Sequence, residues 1–215
     1  MKSYVVIGLG RFGKQVAMRL HESGADVLAI DTDVDAIDDI ADFVTHAVVA
    51  DATNKDVLHS LGAGSVDCAI IALGSDLGSS VLVTMNMKSL GVSEIICKAH
   101  DDTHREILEK LGATKVIIPE REEADRLAKA LTSPNILEYI ELSDEHEIVE
   151  ITTPASWIGK TIRELNIRAK YGVNIIAVRD ESGLQVSPSP DEPIREKSAM
   201  VLLGSYKAVD QIRKL

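Results

Sequence analysis

Short apolar runs alternate with helix-period segments along the first half of the chain. Runs rich in Val and Ile at Tyr4–Gly8, Asp26–Asp31, Ala47–Ala50, Cys68–Ala72, Glu94–Ala99 and Lys115–Ile118 read as strands. Between them, Lys14–Ser23, Val34–Asp42, Asn54–Leu61, Gly78–Leu90 and Asp102–Leu111 space their apolar residues as helices do. Such alternation predicts βαβ units and a parallel sheet, and by Ile118 the strands suffice for a complete doubly wound α/β domain. Ser23-Gly24, Leu61-Gly62, Leu90-Gly91 and Leu111-Gly112 each put a glycine where a helix closes in the left-handed conformation. They are one helix-to-strand turn used repeatedly, not an internal repeat.

The pattern changes after Ile118. Glu120–Leu131 reads as a charged helix, Ser133-Pro134 as its break, and Asn135–Tyr139 as a short helical turn. From Glu147 the order is strand (Glu147–Thr152), loop, helix (Thr161–Leu165), strand (Asn174–Arg179), turn (Glu181-Ser182-Gly183), Pro-rich stretch (187–193), strand (Ala199–Gly204) and helix (Tyr206–Leu215). The organisation expected is a Rossmann-like domain at 1–133, a linker or crossover at 134–146 and a small α+β lobe at 147–215. A lobe of about 70 residues is near the lower limit for independent stability, and burying an apolar face in a dimer would help it.

Composition sharpens this picture. Aromatics are only 3% of the 215 residues, so the core is built from Val, Ile, Leu and Ala, as in a sheet covered on both faces. The net charge of −11 argues against nucleic acid as a partner, because phosphate binding needs clustered Lys and Arg. The two cysteines, Cys68 and Cys97, lie in apolar stretches and read as reduced core thiols, with no zinc-type spacing. The chain opens directly on a strand and has no apolar run near the ~20 residues that span a bilayer, so a soluble, cytoplasmic protein is expected.

Candidate chemistry begins at Gly8-Leu9-Gly10-Arg11-Phe12-Gly13, a G-x-G-x-x-G between a strand and a helix. In that context Gly8 permits the tight turn, Gly10 lets a pyrophosphate approach the backbone, and Gly13 lets helix and strand pack. The helix N-terminus then offers free N–H groups to phosphate. Asp31, with Thr32 beside it, ends the second strand, where a carboxylate accepts both ribose hydroxyls and repels a 2′-phosphate. Arg11 inside the loop suits extra phosphate charge, as in ATP. Asp51-Ala52-Thr53 borders the adenine edge; Asp51 accepts from the adenine amino group, caps the helix near Asn54, or both. Ala72-Leu73-Gly74 brings the fourth strand to the same cleft, followed by Ser75-Asp76.

Catalytic groups are missing. No Tyr-x-x-x-Lys dyad or activated nucleophile is recognisable, and His100 and His104 read as a solvated helix start rather than a metal pair. A nucleotide-binding module without catalysis is the reading these residues support. A small NAD-dependent oxidoreductase is the alternative, and a free-standing cytosolic nucleotide sensor a third.

The glycine loop, Asp31, Asp51-Ala52-Thr53, Ala72-Leu73-Gly74 and the tail with Ile158-Gly159-Lys160-Thr161-Ile162-Arg163-Glu164-Leu165 together resemble the RCK (KTN) domain and its C-terminal lobe. Order and size are similar to the cytosolic gating subunit of Ktr/Trk-type potassium uptake systems. The resemblance implies dimers assembled into an octameric ring, peripheral to the inner face of the cell membrane through a potassium-translocating partner. It implies ATP and ADP, or NAD(H), competing for the N-lobe cleft. Arg11 would reach the γ-phosphate of a neighbouring subunit's nucleotide, and Lys98 would line the far end of the cleft. Glu120 would approach a divalent cation, Mg or Ca, beside that phosphate. Leu165, Arg168, Ala169, Asn174, Ile175 and Pro190 match positions that bind cyclic di-AMP at a C-lobe dimer interface.

Overall fold

A computed structural model describes residues 2–74, 76–132, 136–143 and 145–215 of the chain. The chain divides into two compact units, residues 1–121 and 122–215.

The first unit runs β1 (Ser3–Ile7), α1 (Arg11–Glu22), β2 (Asp26–Asp31), α2 (Val34–Asp38), β3 (His46–Val49), α3 (Lys55–Ser60), β4 (Cys68–Ile71), α4 (Leu77–Ser89), β5 (Glu94–Lys98), α5 (Asp102–Leu111), β6 (Lys115–Ile117) and the start of α6 (Pro119–Thr132). Its strands form one sheet in the order β3-β2-β1-β4-β5-β6, and every pairing is parallel. Successive strand residues face opposite sides, and both sides are buried. Val6, Ala29, Cys68 and Ile70 pack with Ala17 of α1 and Ile37 of α2. Val5, Ile7, Ala69, Ile71 and Cys97 pack with Leu58 of α3, Val83 and Met87 of α4, and Leu108 of α5. This double burial is why the strands read as unbroken apolar runs. The glycines closing α1, α3, α4 and α5 all have positive φ, between 72° and 118°.

The second unit contains β7 (Ile136–Glu141), β8 (His146–Thr152), α7 (Ile162–Leu165), α8 (Ile167–Tyr171), β9 (Asn174–Asp180), β10 (Gly183–Val186), β11 (Ala199–Ser205) and α9 (Tyr206–Arg213). Its antiparallel sheet runs β10-β9-β11-β8-β7. Val149, Ile151, Met200 and Leu202 of the sheet pack on Val209 and Ile212 of α9, with Trp157, Leu165 and Ile167. Thr161 and Glu164 form a reciprocal capping box at the start of α7. Arg163 holds Asp191 through two hydrogen bonds of 2.6 and 3.0 Å, fixing the loop after β10 to that helix.

Three expectations change. Residues 136–141 are strand β7 paired antiparallel with β8, not a helical turn in a linker; an Ile/Tyr-containing run takes the extended form once a sheet edge offers it ladder hydrogen bonds. The expected break at Ser133-Pro134, and Asn135, lie outside the described residues. The turn at 181–183 closes a hairpin whose second strand, β10, the sequence left unassigned. The segment expected as one helix over 34–42 ends at Asp38 and continues as a 3-10 turn, Ala41–Phe43.

Candidate functional site

The strand order reverses between β1 and β4, and the glycine loop lies at that point. Gly8 follows β1 with φ +91°, and a Cβ there would lie 2.9 Å from Leu73 Cδ2 and 3.0 Å from the Ala72 carbonyl carbon. A Cβ at Gly13 would lie 1.9 Å from the Gly8 carbonyl oxygen, so β1 and α1 approach only through glycine. Gly10 differs: a Cβ there would meet nothing within 4 Å. Its bareness opens space above the N-terminus of α1 instead of relieving a clash.

That N-terminus differs from those of α2 to α5. Helices α2, α3, α4 and α5 are each capped by a side chain, Asp33, Asn54, Asp76 and Asp101 respectively. Helix α1 begins at Gly10 with no side-chain cap and no acid in its first turn. Its first-turn N–H groups and positive dipole end therefore stay available to an anion.

Asp31 closes β2 beside the loop. Its Oδ2 accepts the Leu9 N–H at 2.5 Å and its Oδ1 accepts the Asp33 N–H at 3.0 Å. Each carboxylate oxygen retains a further lone pair for a hydroxyl donor. Asp51 accepts the Thr53 N–H at 2.9 Å and its hydroxyl at 2.7 Å, and these bonds, the hydroxyl's first, hold its carboxyl below the usual range. Helix α3 is capped by Asn54, whose Oδ1 accepts the Asp56 N–H at 3.0 Å, so the capping role open to Asp51 belongs to Asn54. Asn86 of α4 donates to the Thr53 carbonyl at 2.8 Å and ties this loop to the facing helix.

These elements enclose a cleft of about 330 Å³, within the range of small-ligand sites. Gly8, Gly10, Asp31, Thr32, Asp51, Ala52, Thr53, Ala72, Leu73 and Gly74 all line it. Asp76, placed at the cleft with the end of the fourth strand, lines it too, while Ser79 and Val83 of the α4 wall, together with Ile7, Ile30 and Ala50, were not legible. Asp76 carries a legible signal, an acid three residues before Ser79, whose N–H and hydroxyl it accepts at 3.2 and 2.6 Å.

Leu9, Arg11, Phe12, Gly13, Lys98 and Glu120 are off this wall. Leu9 and Gly13 are buried, and Arg11 is exposed at the first position of α1. Lys98 donates to Glu120 Oε1 at 2.6 Å, its Nζ lies 5.8 Å from the centre of the Phe12 ring, and its stem lies against Gly74. The Lys98 hydrogen bond, with help from the Arg11 charge, lowers the Glu120 pKa. Among the described residues no complete cation site is built here. Glu120 is already paired with an ammonium, and the described residues contain no group of three His, Cys, Asp or Glu side chains suited to a metal.

In the second unit Leu165 is buried at the end of α7, Arg168 and Ala169 are exposed on α8, and Asn174 and Ile175 open β9. The Pro190 carbonyl accepts the Arg163 N–H at 3.0 Å. None of the six lines the nearby cavity of about 40 Å³, bounded by Ile162, Pro188, Ser189 and Ile194.

The histidine pair corrects an expectation. His104 is 1% exposed, not solvated, and bonds both His100 and Ser80. Cys68 and Cys97 are buried free thiols, each pushed up to about 11 by desolvation.

A parallel sheet in this order, with the glycine loop and a ribose-type acid at its switch point, defines a Rossmann-type, nucleotide-binding class of protein. Residues 4–119 match the TrkA-N domain and residues 146–215 the TrkA-C domain. The chain is 40% identical over 213 residues to the Ktr system potassium uptake protein C of Bacillus subtilis (strain 168), covering 99% of this chain and 96% of that protein. Its fold is similar to the GsuK RCK domain, with a TM-score of 0.65 at 20% identity over 100% of this chain and 47% of that one. It is equally similar to the GsuK channel bound to NAD, with TM-score 0.65 at 20% identity over 99% of this chain. The chain spans 47% and 39% of the lengths of those two GsuK chains. The chain belongs to the TrkA-N/TrkA-C family of potassium uptake proteins, the RCK family that its motifs resemble.

Proposed function

We propose that this chain is a nucleotide-sensing regulatory subunit that gates a membrane potassium uptake channel or transporter. The observation that carries the reading is the uncapped N-terminus of α1 beneath the open space over Gly10, with Asp31 at its side. That arrangement suits the phosphates and ribose of an adenine nucleotide, ATP or ADP, with NAD(H) sharing the same ribose contact. Support for the potassium system comes from the relative in Bacillus subtilis, named for it and matched over nearly its whole length.

In this reading Arg11 meets the third phosphate, which distinguishes ATP from ADP. Lys98 extends the positive charge, and Glu120 shares a Mg or Ca ion carried in by the triphosphate, whose oxygens complete its ligand set. A nucleotide moves a two-state ring only as far as its affinities for the two states differ, and the third phosphate supplies that difference. The ring is an octamer of paired chains in the cytoplasm, held at the membrane by its partner. Among the described residues no helix is long and apolar enough to cross a membrane, which leaves translocation to that partner. Cyclic di-AMP is the second ligand, taken between two C-terminal lobes by Arg168, Asn174 and the aliphatics around them. No reaction is assigned.

Calorimetric titration with ATP, ADP and NADH tests the cleft, and mass spectrometry of small molecules released from the purified protein identifies its occupant. Co-purification with a potassium-translocating membrane subunit tests the partner. Saturable NADH consumption with carbonyl substrates would instead favour an oxidoreductase.

A further inference from the structure

The buried histidine forms a chain that crosses from α5 to α4. His104 Nε2 lies 3.2 Å from the Ser80 hydroxyl. His104 Nδ1 lies 2.8 Å from His100 Nδ1, and His100 Nε2 lies 3.1 Å from Asp101 Oδ2. Asp101 also caps α5, accepting the His104 N–H at 2.7 Å. Ser80 and His104 are 0% and 1% exposed, whereas the His100 side chain is 49% exposed and reaches solvent.

Proton counting sets the direction of every bond. The Asp101 carboxylate has no hydrogen to donate and only accepts, so His100 Nε2 carries a hydrogen. If both rings are neutral, His100 Nδ1 is bare and accepts from His104 Nδ1–H. His104 Nε2 is then bare, and the Ser80 hydroxyl must donate to it. One added proton reverses this. If it resides on His100, both His100 nitrogens donate, His104 Nδ1 accepts, and the His104 hydrogen moves to Nε2. If it resides on His104, both of its nitrogens donate. In either case the Ser80 hydroxyl turns from donor to acceptor.

We infer that Ser80, His104, His100 and Asp101 form a one-proton switch that adjusts the α4 wall of the cleft to pH. Ser80 lies next to Ser79, which lines the cleft, and its N–H donates to the carbonyl of Asp76, another lining residue, at 3.0 Å. Thr84 locks the same turn, donating to the Ser80 carbonyl at 2.7 Å. Turning the Ser80 hydroxyl therefore acts within one helical turn of the ligand wall. The entry point for the proton is His100, two residues beyond Lys98. Asp102 and Arg105 flank the pair along the chain, Arg121 of α6 bonds Asp102 at 2.6 Å, and Cys97 of β5 lies 3.4 Å from the Thr84 hydroxyl that locks the Ser80 turn. Burial and the neighbouring His100 hold His104 below the ordinary histidine range, against a smaller opposing pull from Asp101, so the switch turns on the acid side of neutrality. Passed to the wall through the turned Ser80 hydroxyl, the added positive charge favours nucleotide phosphates, so acid tightens binding. This regulation rests on the nucleotide reading of the cleft.

Long-range ¹H–¹⁵N correlation spectra of the full chain read the tautomers directly. At pH 8 His104 should carry its hydrogen on Nδ1 and His100 on Nε2, and acidification should bring a hydrogen to His104 Nε2. A His104 Nε2–H tautomer at pH 8, or no change on acidification, overturns the switch whether or not a nucleotide binds. Calorimetry with ADP should show affinity rising from pH 8 to pH 5.5 by about fivefold more in wild type than in His104→Gln, which shares the protonation of ADP's own terminal phosphate, the low end of ordinary coupling between sites. Ser80→Ala and His104→Gln should each flatten that rise. An equal rise in wild type and both variants overturns the link to α4. Absence of ADP binding at both pH values overturns that link too, and the nucleotide reading with it, while the tautomers still decide the switch itself.

Discussion

The backbone N–H of Leu9 donates to Oδ2 of Asp31 at 2.5 Å, so the glycine loop and the end of β2 are joined through the carboxylate assigned to the ribose. One side chain thus shapes the loop and, in the proposed function, presents the ribose contact. Asp31→Ala should lower ADP and NADH affinity by roughly tenfold or more, since bonds to a charged group are worth about 1.5–3 kcal/mol. Asp31→Asn, whose amide oxygen still accepts from Leu9, should lose less. Equal losses in calorimetric titrations would separate the loop from the ribose contact.

Gly10 and Gly13 predict opposite failures. Gly10→Ala meets open space and should melt like wild type while binding nucleotide poorly, because its methyl enters the phosphate path. Gly13→Ala drives a methyl into the Gly8 carbonyl and should cost about 2 kcal/mol or more of stability. Denaturant unfolding and nucleotide titration of the pair separate the two roles.

Arg11→Ala should weaken ATP far more than ADP, by about tenfold for the loss of a charge-assisted contact, with folding untouched because the side chain is exposed. Equal weakening would remove Arg11 from the discrimination. Glu120→Gln frees Lys98 from its 2.6 Å partner. It should tighten ATP binding when divalent ions are chelated and abolish any gain on adding Mg. A persistent Mg effect would take Glu120 out of the cation's ligands.

His104 also links stability to pH. Because its native pKa is lowered, the unfolded chain takes up the proton first as pH falls. The contribution of this group is complete above about pH 6.5 and is lost progressively below it, toward the lower native value. Thermal melts from pH 8 to pH 5 should show that loss, and His104→Gln should remove this component of the slope.

Cys68 and Cys97, raised to about 11 and buried, should resist thiol reagents at pH 8 until the protein is denatured. Rapid labelling of the native chain would mean that the sheet opens locally.

Much of this protein follows from local sequence. Alternating apolar runs and helix-period segments determine the doubly wound unit, because burial on both faces puts Val, Ile, Leu and Ala on both sides of the strands. Gly8, Gly10 and Gly13 are legible because each answers a local steric demand, and Asp31 because a strand end fixes its distance from the loop. Other features depend on partners distant in sequence. Strand β7 forms because β8 lies alongside it, and β10 because the hairpin folds it onto β9. Ser79 and Val83 join the site because α4 packs along the cleft. His104 changes from an expected surface residue to the buried centre of a hydrogen-bonded chain because Ser80, 24 positions earlier, faces it across the helix pair. Periodicity records which face of an element is apolar; only packing decides which polar groups meet inside.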